Sequence, residues 1–179
     1  ITLPTTPKQH TPHAILKGNN IAWLTADSVE IPITAYDDKN IVCGQAVSRN
    51  EFGWMQGIFP SPDNSRLAFY VKDESNVTTF PLLDITTRTG TARNIKYPMI
   101  GMPSEQLKFG VYDVAQNKTI YLNITDFTDE RYLTNPAWSP DSKTIYIQVM
   151  NREQKALNLN AYDAITGEFK ATLLSESNP

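Results

Sequence analysis

Two stretches of the chain follow one pattern: SPDNSRLAFYV at residues 61–71 and SPDSKTIYIQV at residues 139–149. In both, the proline presets the backbone for a turn, the aspartate can cap that turn, and a basic residue leads into an apolar run. A second pattern also recurs, as VYDV at residues 111–114 and AYDA at residues 161–164. Strands that begin at Ser-Pro-Asp turns and alternate with Tyr-Asp hairpins are typical of the four-stranded blades of a β-propeller.

The spacing between the two patterns differs from one unit to the other. Asp141 and Asp163 are 22 positions apart, which suits the inner strands of one blade, whereas Asp63 and Asp113 are 50 positions apart. The longer spacing predicts an insertion of about one further hairpin within residues 71–110. Alternating residues at 155–160 indicate another strand, and no stretch has a useful helical period. The sequence therefore predicts a nearly all-β protein.

The length limits how much of a propeller the chain can form. A closed propeller needs about four to eight blades of roughly 40–50 residues each. Without a proline-rich start and the insertion, the 179 residues supply about two to three blades. We predict a tether at residues 1–13 and, at residues 14–179, a partial β-propeller that is a sector of a larger one. Its first strands are expected at residues 21–24 and 28–33, joined by a turn at Ala26 and Asp27.

Composition argues against several functions. A net charge of −3 disfavours a surface that binds nucleic acid. A lone cysteine, Cys43, excludes a disulfide within the chain, and its apolar neighbours predict a buried, inert thiol. No apolar run reaches the roughly 18 residues that a membrane-spanning helix requires. The chain starts without methionine or a signal peptide, which indicates a processed or excised piece.

The residues needed for catalysis are incomplete. A serine hydrolase needs a nucleophile, a base and an orienting acid, and the chain has no Gly-Xaa-Ser-Xaa-Gly motif. Its two histidines, His10 and His13, lie in the predicted tether without an acidic or cysteine partner for a metal. Asp73 and Glu74 are adjacent, so on a strand they would face opposite sides. We predict that this chain alone has no catalytic activity, no metal site and no cofactor.

A candidate for binding is the stretch RNEFG at residues 49–53, which places charged side chains between an apolar approach and a glycine. A strand would give way to a loop there. A carboxylate in such a loop is either a solvated turn residue or an anchor for a cation, and an exposed glutamate is the commoner case. The residues alone leave both interpretations of Glu51 open.

Short runs occur in a fixed order along the chain: NEFG (50–53), SPD (61–63), LAFY (67–70), DES (73–75), KYPMIGMPS (96–104), GVYDV (110–114), YLTN (132–135), WSPD (138–141), NR (151–152), YDA (162–164) and TG (166–167). This ordered series resembles the N-terminal β-propeller of bacterial dipeptidyl peptidase IV-like and prolyl tripeptidyl peptidase-like proteases, within the prolyl oligopeptidase family. The resemblance covers about residues 41–174 and is faint before them.

The resemblance implies a parent serine exopeptidase that removes dipeptides or tripeptides from free N-termini, usually after proline. Its propeller would contribute acidic residues that bind the substrate's α-ammonium group, and would gate access to the site. The Ser-Asp-His triad would lie on a separate C-terminal α/β-hydrolase domain. A periplasmic or secreted location is also implied. A homodimer is expected because the outer blade faces of a sector lack partners.

Glu51 falls in the matching motif, so the resemblance implies that it binds the ammonium group, with Asn50 and Arg49 beside it. Asp73 and Glu74 are candidate supporting residues, and they are equally well interpreted as salt-bridge partners of Arg49 or Arg66.

The chain departs from the family's motif at one point, and two other functions are compatible with its sequence. The mammalian dipeptidyl form of the motif has adjacent glutamates, whereas this chain has one carboxylate, so the choice between dipeptides and tripeptides stays open. The chain could instead belong to a periplasmic propeller that only binds, similar to TolB, because a fold does not define a function. It could also be the propeller of a different hydrolase.

Overall fold

The computed structural model describes residues 11–128 and 130–178, and nearly all regular structure within them is β-strand. The strands are β1 (His13–Lys17), β2 (Asn20–Leu24), β3 (Glu30–Pro32), β4 (Ile41–Cys43), β5 (Ile58–Pro60), β6 (Arg66–Asp73), β7 (Thr79–Asp84), β8 (Thr91–Lys96), β9 (Gln106–Asp113), β10 (Lys118–Tyr121), β11 (Tyr132–Trp138), β12 (Thr144–Met150), β13 (Ala156–Asp163) and β14 (Phe169–Ser177). One short 3-10 turn, Ser48–Asn50, lies between β4 and β5. No helix in the described ranges is long and apolar enough to cross a membrane.

These strands form three sheets that follow each other along the chain, and one separate hairpin. The first sheet has the order β1-β2-β3, and the third has the order β11-β12-β13-β14. The second has the order β10-β9-β6-β4, with β5 also paired to β6. All of these pairs are antiparallel. The arrangement confirms the predicted all-β partial propeller of about two to three blades.

Strand β6 explains how the three sheets stack. Side chains alternate along a strand, so neighbouring residues face opposite sides of the sheet. Leu67, Phe69 and Val71 belong to the core shared with the first sheet, whereas Ala68 and Tyr70 belong to the core shared with the third. Both faces of β6 are therefore covered, which is why its sequence is a continuous apolar run instead of an alternating one.

Aromatic rings form the centre of the contact between the second and third sheets. The Tyr70 ring lies edge-on to Phe59 and Phe109, with centroid separations of 5.7 and 5.0 Å. The Tyr70 hydroxyl donates a hydrogen bond of 2.8 Å to the carbonyl oxygen of Leu133, which joins β6 to β11. The indole of Trp138 donates to the carbonyl oxygen of Phe59 at 3.0 Å. Two directed hydrogen bonds thus fix the register of one sheet against the next.

The two Ser-Pro-Asp turns are built alike, as their sequences predict. The Ser61 hydroxyl donates to Asp63 Oδ1 at 2.7 Å, and that same oxygen accepts the backbone N–H of Ser65. In the second turn the Ser139 hydroxyl donates to Asp141 Oδ1 at 2.6 Å. These donors, the serine hydroxyls first among them, hold the pKa of Asp63 and Asp141 below the ordinary range. The aspartates cap the turns from which β6 and β12 start.

Several smaller predictions can be compared with the fold. Strands β7 and β8 pair as a hairpin inside residues 71–110, which confirms the predicted insertion. The turn at Ala26 and Asp27 joins β2 to β3, as expected. Cys43 is fully buried, and burial raises the pKa of its thiol.

The first strand, β1, was not predicted. It begins at His13, at the expected boundary between tether and propeller. Residues 1–10 of the expected tether, His10 included, lie outside the described residues, so the tether stays a prediction.

Candidate functional site

The motif residues lie on a loop, residues 44–57, that leaves the second sheet and returns to almost the same point. Gly44 N–H donates to the carbonyl oxygen of Tyr70 at 2.8 Å, and Tyr70 N–H donates to the carbonyl oxygen of Gly57 at 3.0 Å. Both ends of the loop are therefore held by one residue of β6. A Cβ atom at Gly57 would lie 2.3 Å from the carbonyl oxygen of Gln45, so only glycine fits where the two ends pass.

At the far end of this loop the backbone makes a left-handed turn, Ser48–Asn50. The φ angles are +49° at Ser48, +49° at Arg49 and +63° at Asn50. A residue with a side chain in this region costs about 1–2 kcal/mol, and three in succession are maintained only where surrounding contacts determine them. Within the turn, the Glu51 N–H donates to the Ser48 carbonyl oxygen at 2.9 Å.

Two further contacts hold the turn from outside. The Ser48 N–H donates to Glu105 Oε1 at 2.6 Å. The Arg49 guanidinium donates to the carbonyl oxygen of Lys96 at 2.8 Å and lies 5.0 Å from the centroid of the Tyr97 ring. The turn is therefore attached both to the segment that precedes β9 and to the end of the β7–β8 hairpin.

The next two residues of the loop connect it to the third sheet. Glu51 is exposed, and its Oε1 accepts a hydrogen bond of 2.8 Å from the side-chain amide of Gln154. Among the described residues, no donor contacts its other carboxylate oxygen. The Phe52 ring lies edge-on to Tyr132 at 5.1 Å between centroids. Glu51 is thus held in place at one oxygen while the other remains accessible.

A cavity of about 750 Å³ opens beside the turn. This volume lies within the roughly 300–1,000 Å³ that is usual for small-ligand sites. The residues that line it are Gln45, Ala46, Ser48, Arg49, Asn50, Glu51, Lys72, Glu74, Val77, Lys96, Tyr97, Pro98, Ser104, Glu105, Tyr132 and Arg152. Its wall therefore carries charges of both signs, from four cationic and three acidic side chains.

Most of these charges are already engaged within the protein. Lys72 forms a largely buried ion pair with Glu74 at 3.0 Å. Arg152 forms an ion pair of 2.7 Å with Glu130, which lies next to the lining residues. Burial raises the pKa of Glu105, and the hydrogen bond from the Ser48 backbone partly offsets that effect. Glu51 is the acidic lining residue that is most accessible to a ligand.

The structure brings together four of the five residues that the sequence singled out. Arg49, Asn50, Glu51 and Glu74 all line the cavity, whereas Asp73 does not. The carboxylate of Asp73 instead accepts the backbone N–H of Ser75 at 2.8 Å.

The salt bridges expected for these acidic residues were wrong. Arg66 pairs with Asp113 at 3.2 Å, and Glu74 pairs with Lys72. The register of β6 against β9 places Arg66 opposite Asp113, whereas Lys72 and Glu74 are only two positions apart in the chain.

Sequence reasoning missed Glu105, Lys96 and Arg152 as parts of the site. They come from segments about 50 to 100 residues away from the motif, and no spacing rule links them to it. Lys96 and Arg152 do fall inside two of the runs that carry the resemblance, which was the one signal available. In the described ranges, His, Cys, Asp and Glu form no cluster of three or more that could hold a metal ion.

Comparisons with known proteins agree with this architecture. Residues 6–179 match the family model described as the dipeptidyl peptidase IV (DPP IV) N-terminal region. A protein of Phaeosphaeria nodorum assigned as dipeptidyl-aminopeptidase B is 30% identical over 117 residues, which cover 58% of this chain and 13% of that protein. Its counterpart in Penicillium rubens is 26% identical over 174 residues, covering 86% and 19% of the two chains.

Two solved structures have the same fold. A Bacteroides ovatus protein assigned as a dipeptidyl aminopeptidase IV superposes with a TM-score of 0.76 at 41% identity, over 97% of this chain and 25% of the other. Porphyromonas gingivalis dipeptidyl peptidase 4 superposes with a TM-score of 0.81 at 22% identity, over 93% and 24% of the two chains. The second likeness concerns the fold alone.

The strands, the stacking of the sheets and the cavity beside the left-handed turn define a sector of a β-propeller domain. The chain belongs to the family of dipeptidyl peptidase IV N-terminal regions. It spans less than a fifth of the fungal relatives and about a quarter of the two solved chains. Its relatives are named as dipeptidyl aminopeptidases, so the predicted resemblance is confirmed at the level of the family.

Proposed function

We propose that this chain is the substrate-recognition part of the propeller in a peptidase that removes dipeptides or tripeptides from free N-termini. The nucleophile, base and acid of the reaction would come from a C-terminal α/β-hydrolase domain of the full-length protein. A periplasmic or secreted location remains a prediction from the resemblance. The observation that carries the proposal is the position of Glu51, which lines the cavity with one carboxylate oxygen free of protein donors in the described residues.

The chemistry of the cavity suits the N-terminus of a peptide. An α-ammonium group needs a carboxylate, and the adjacent peptide carbonyl needs a donor. Glu51 offers the first, and Arg49 and Asn50 lie next to it on the same turn and offer donors. A carboxylate at the wall of a cavity attracts a cation more strongly than one in bulk water, because less solvent screens it. The distance from Glu51 to the catalytic serine would then determine how many residues are removed.

The proposal is tested by Glu51→Gln in the full-length protein. Gln has nearly the same shape and still offers an oxygen to the Gln154 amide, so only the charge is removed. A hydrogen bond to a charged group contributes about 1.5–3 kcal/mol, so we expect kcat/KM for a Gly-Pro chromogenic substrate to fall by about one to two orders of magnitude. For an N-acetylated substrate, kcat/KM should be the same in the variant and in the wild type, because that substrate has no α-ammonium group to contact Glu51.

Glu168→Gln is the matched control. Glu168 is exposed on the turn between β13 and β14 and does not line the cavity. We expect wild-type kinetics from it. A folded Glu51→Gln variant that keeps its kcat/KM on the free-amine substrate would remove Glu51 from the site and with it the proposed function.

We also propose that the protein is a homodimer and that the β7–β8 hairpin contributes to the contact between copies. A two-stranded hairpin is marginally stable alone, and in the described part of the chain it pairs with no other strand. Leu83 and Ile85 on this hairpin are 71% and 80% exposed. Exposed apolar side chains grouped on one element mark interaction sites more often than isolated ones do.

Leu83→Asp combined with Ile85→Asp should therefore lower the dimer fraction in sedimentation experiments on the full-length protein. Val29→Asp introduces one negative charge, half of that in the hairpin variant, at an exposed apolar residue in the turn between β2 and β3, and should leave that fraction unchanged. Equal sedimentation of wild type and hairpin variant as dimers would exclude the hairpin as a dimer contact.

A further inference from the structure

The left-handed turn has one contact that the sequence did not predict. The Ser48 N–H points away from the turn and donates to Glu105 Oε1, 57 positions along the chain, at 2.6 Å. Hydrogen bonds from a backbone N–H to a carboxylate are shorter and stronger than those between neutral groups. Three successive residues of the turn have unfavourable φ angles. A hydrogen bond from outside the turn to its first residue offsets part of the free energy that this backbone conformation costs.

Glu105 is itself held in a defined place. It directly precedes β9, whose first residue pairs with Asp73 at the end of β6. Two residues that flank strands of the third sheet hold the segment before it: the Ser104 N–H donates to Glu130 at 3.2 Å, and Arg152 donates to the carbonyl oxygen of Met102 at 3.1 Å. The carboxylate thus projects from an anchored segment toward the turn.

Lys72 and Arg49 favour the charged form of the half-buried Glu105 only through longer-range attraction, because the cations of the cavity are engaged elsewhere. Lys72 is paired with Glu74, Arg152 with Glu130, and Arg49 donates to a backbone carbonyl. Among the described residues, no cation forms an ion pair with Glu105. Burial raises the pKa of its carboxyl, so keeping it charged is unfavourable for the fold. A group maintained at such a cost, and bonded to a strained turn, is a candidate for a role in the site.

We propose that Glu105 is a positioning residue: its carboxylate holds the left-handed turn, and the turn sets Glu51 and Arg49 at the wall of the cavity. The inference rests on the proposed function of Glu51. Glu105 does not bind the substrate in this account; it acts through the backbone of the turn. Glu51 follows the turn directly, so a change of the turn conformation moves its Cα and carries the carboxylate away from the Gln154 amide.

Substitutions at Glu105 in the full-length protein test this. Glu105→Ala removes the acceptor, and Glu105→Asp withdraws it by one methylene, so both should lower kcat/KM on a free-amine Gly-Pro substrate by about tenfold. Glu105→Gln keeps an oxygen in place for the Ser48 N–H and should stay within about threefold of wild type. The double variant, Glu105→Ala with Glu51→Gln, should have the same kcat/KM as Glu51→Gln alone, because Glu105 affects the substrate only through the position of Glu51.

A second measurement does not depend on activity. Hydrogen exchange should become faster at the backbone amides of Asn50, Glu51 and Gly53 in Glu105→Ala and Glu105→Asp, but not in Glu105→Gln. These amides donate to backbone carbonyls of the same loop, so they report on the turn itself. The matched control, Glu168→Ala, should leave both exchange and kinetics unchanged.

The outcomes separate the two proposals. Wild-type kcat/KM in the Ala and Asp variants, or multiplicative losses in the double variant, would overturn the role of Glu105 while leaving Glu51 as the anchor. Unchanged exchange in the loop would overturn it as well. A silent Glu51→Gln variant would instead overturn the proposed function, and the exchange data would still decide whether Glu105 holds the turn.

Discussion

Replacing Tyr70 by phenylalanine is expected to weaken the contact between the second and third sheets. The ring would remain between Phe59 and Phe109, so the substitution leaves their apolar packing intact. Only the hydroxyl is lost, together with its hydrogen bond of 2.8 Å to the carbonyl oxygen of Leu133. Both residues are almost completely buried, so water does not readily replace the lost donor.

The magnitude follows from these contacts. A hydrogen bond of this kind contributes about 1 kcal/mol net, and a buried carbonyl that loses its partner costs about 1–3 kcal/mol. We expect the free energy of local opening to fall by about 1–2 kcal/mol in Tyr70→Phe. Native-state hydrogen exchange of peptides covering β6 and β11 should then be about 5 to 30 times faster.

Tyr112→Phe is the matched control. Tyr112 is equally buried, but its hydroxyl donates to the side chain of Asn117, an exposed residue on the turn of the same hairpin. Water can satisfy Asn117 after the change, so exchange should increase by less than in Tyr70→Phe. Exchange in β6 and β11 that is unaffected by Tyr70→Phe, or affected equally by both changes, would refute the view that this hydroxyl ties the sheets together.

Two further predictions concern turns. Gly57→Ala should prevent correct closure of the loop, because the added Cβ would lie 2.3 Å from the Gln45 carbonyl oxygen. We expect the free energy of unfolding to fall by about 1–3 kcal/mol or more, and an unchanged Tm would contradict this. Asp63 has a depressed pKa, owing first to the Ser61 hydroxyl, so its stabilising effect is present above about pH 4 and is lost as the pH falls toward the folded-state value. Asp63→Asn should therefore make the fall of Tm with acidification shallower, and a slope equal to wild type would count against this.

The site was only partly predictable from the sequence. The motif that contains Glu51 could be recognised because its residues are contiguous, and its position after β4 follows from the apolar run that precedes it. Arg49 was expected to meet a carboxylate but instead contacts a carbonyl and the Tyr97 ring, because the β7–β8 hairpin ends beside it. Glu105 stands in a run without periodicity, and nothing local in its sequence indicates that its carboxylate reaches Ser48.

The local elements were determined by the sequence itself. The Ser-Pro-Asp turns depend on interactions between residues a few positions apart, such as the serine hydroxyl and the carboxylate of Asp63. The Tyr-Asp hairpins and the inserted hairpin depend on pairs of strands that are adjacent in the chain. Their geometry is therefore encoded by neighbouring side chains and by the restricted backbone of proline.

Tertiary structure decided the rest. The continuous apolar run of β6 indicates that both of its faces are covered, but only the packed structure decides that the first and third sheets cover them. The left-handed turn is unfavourable by itself, so no local preference predicts it at Ser48–Asn50. It exists because the sheets bring Glu105, the end of the hairpin and Gln154 to the same place, and those contacts arise only when the chain is packed.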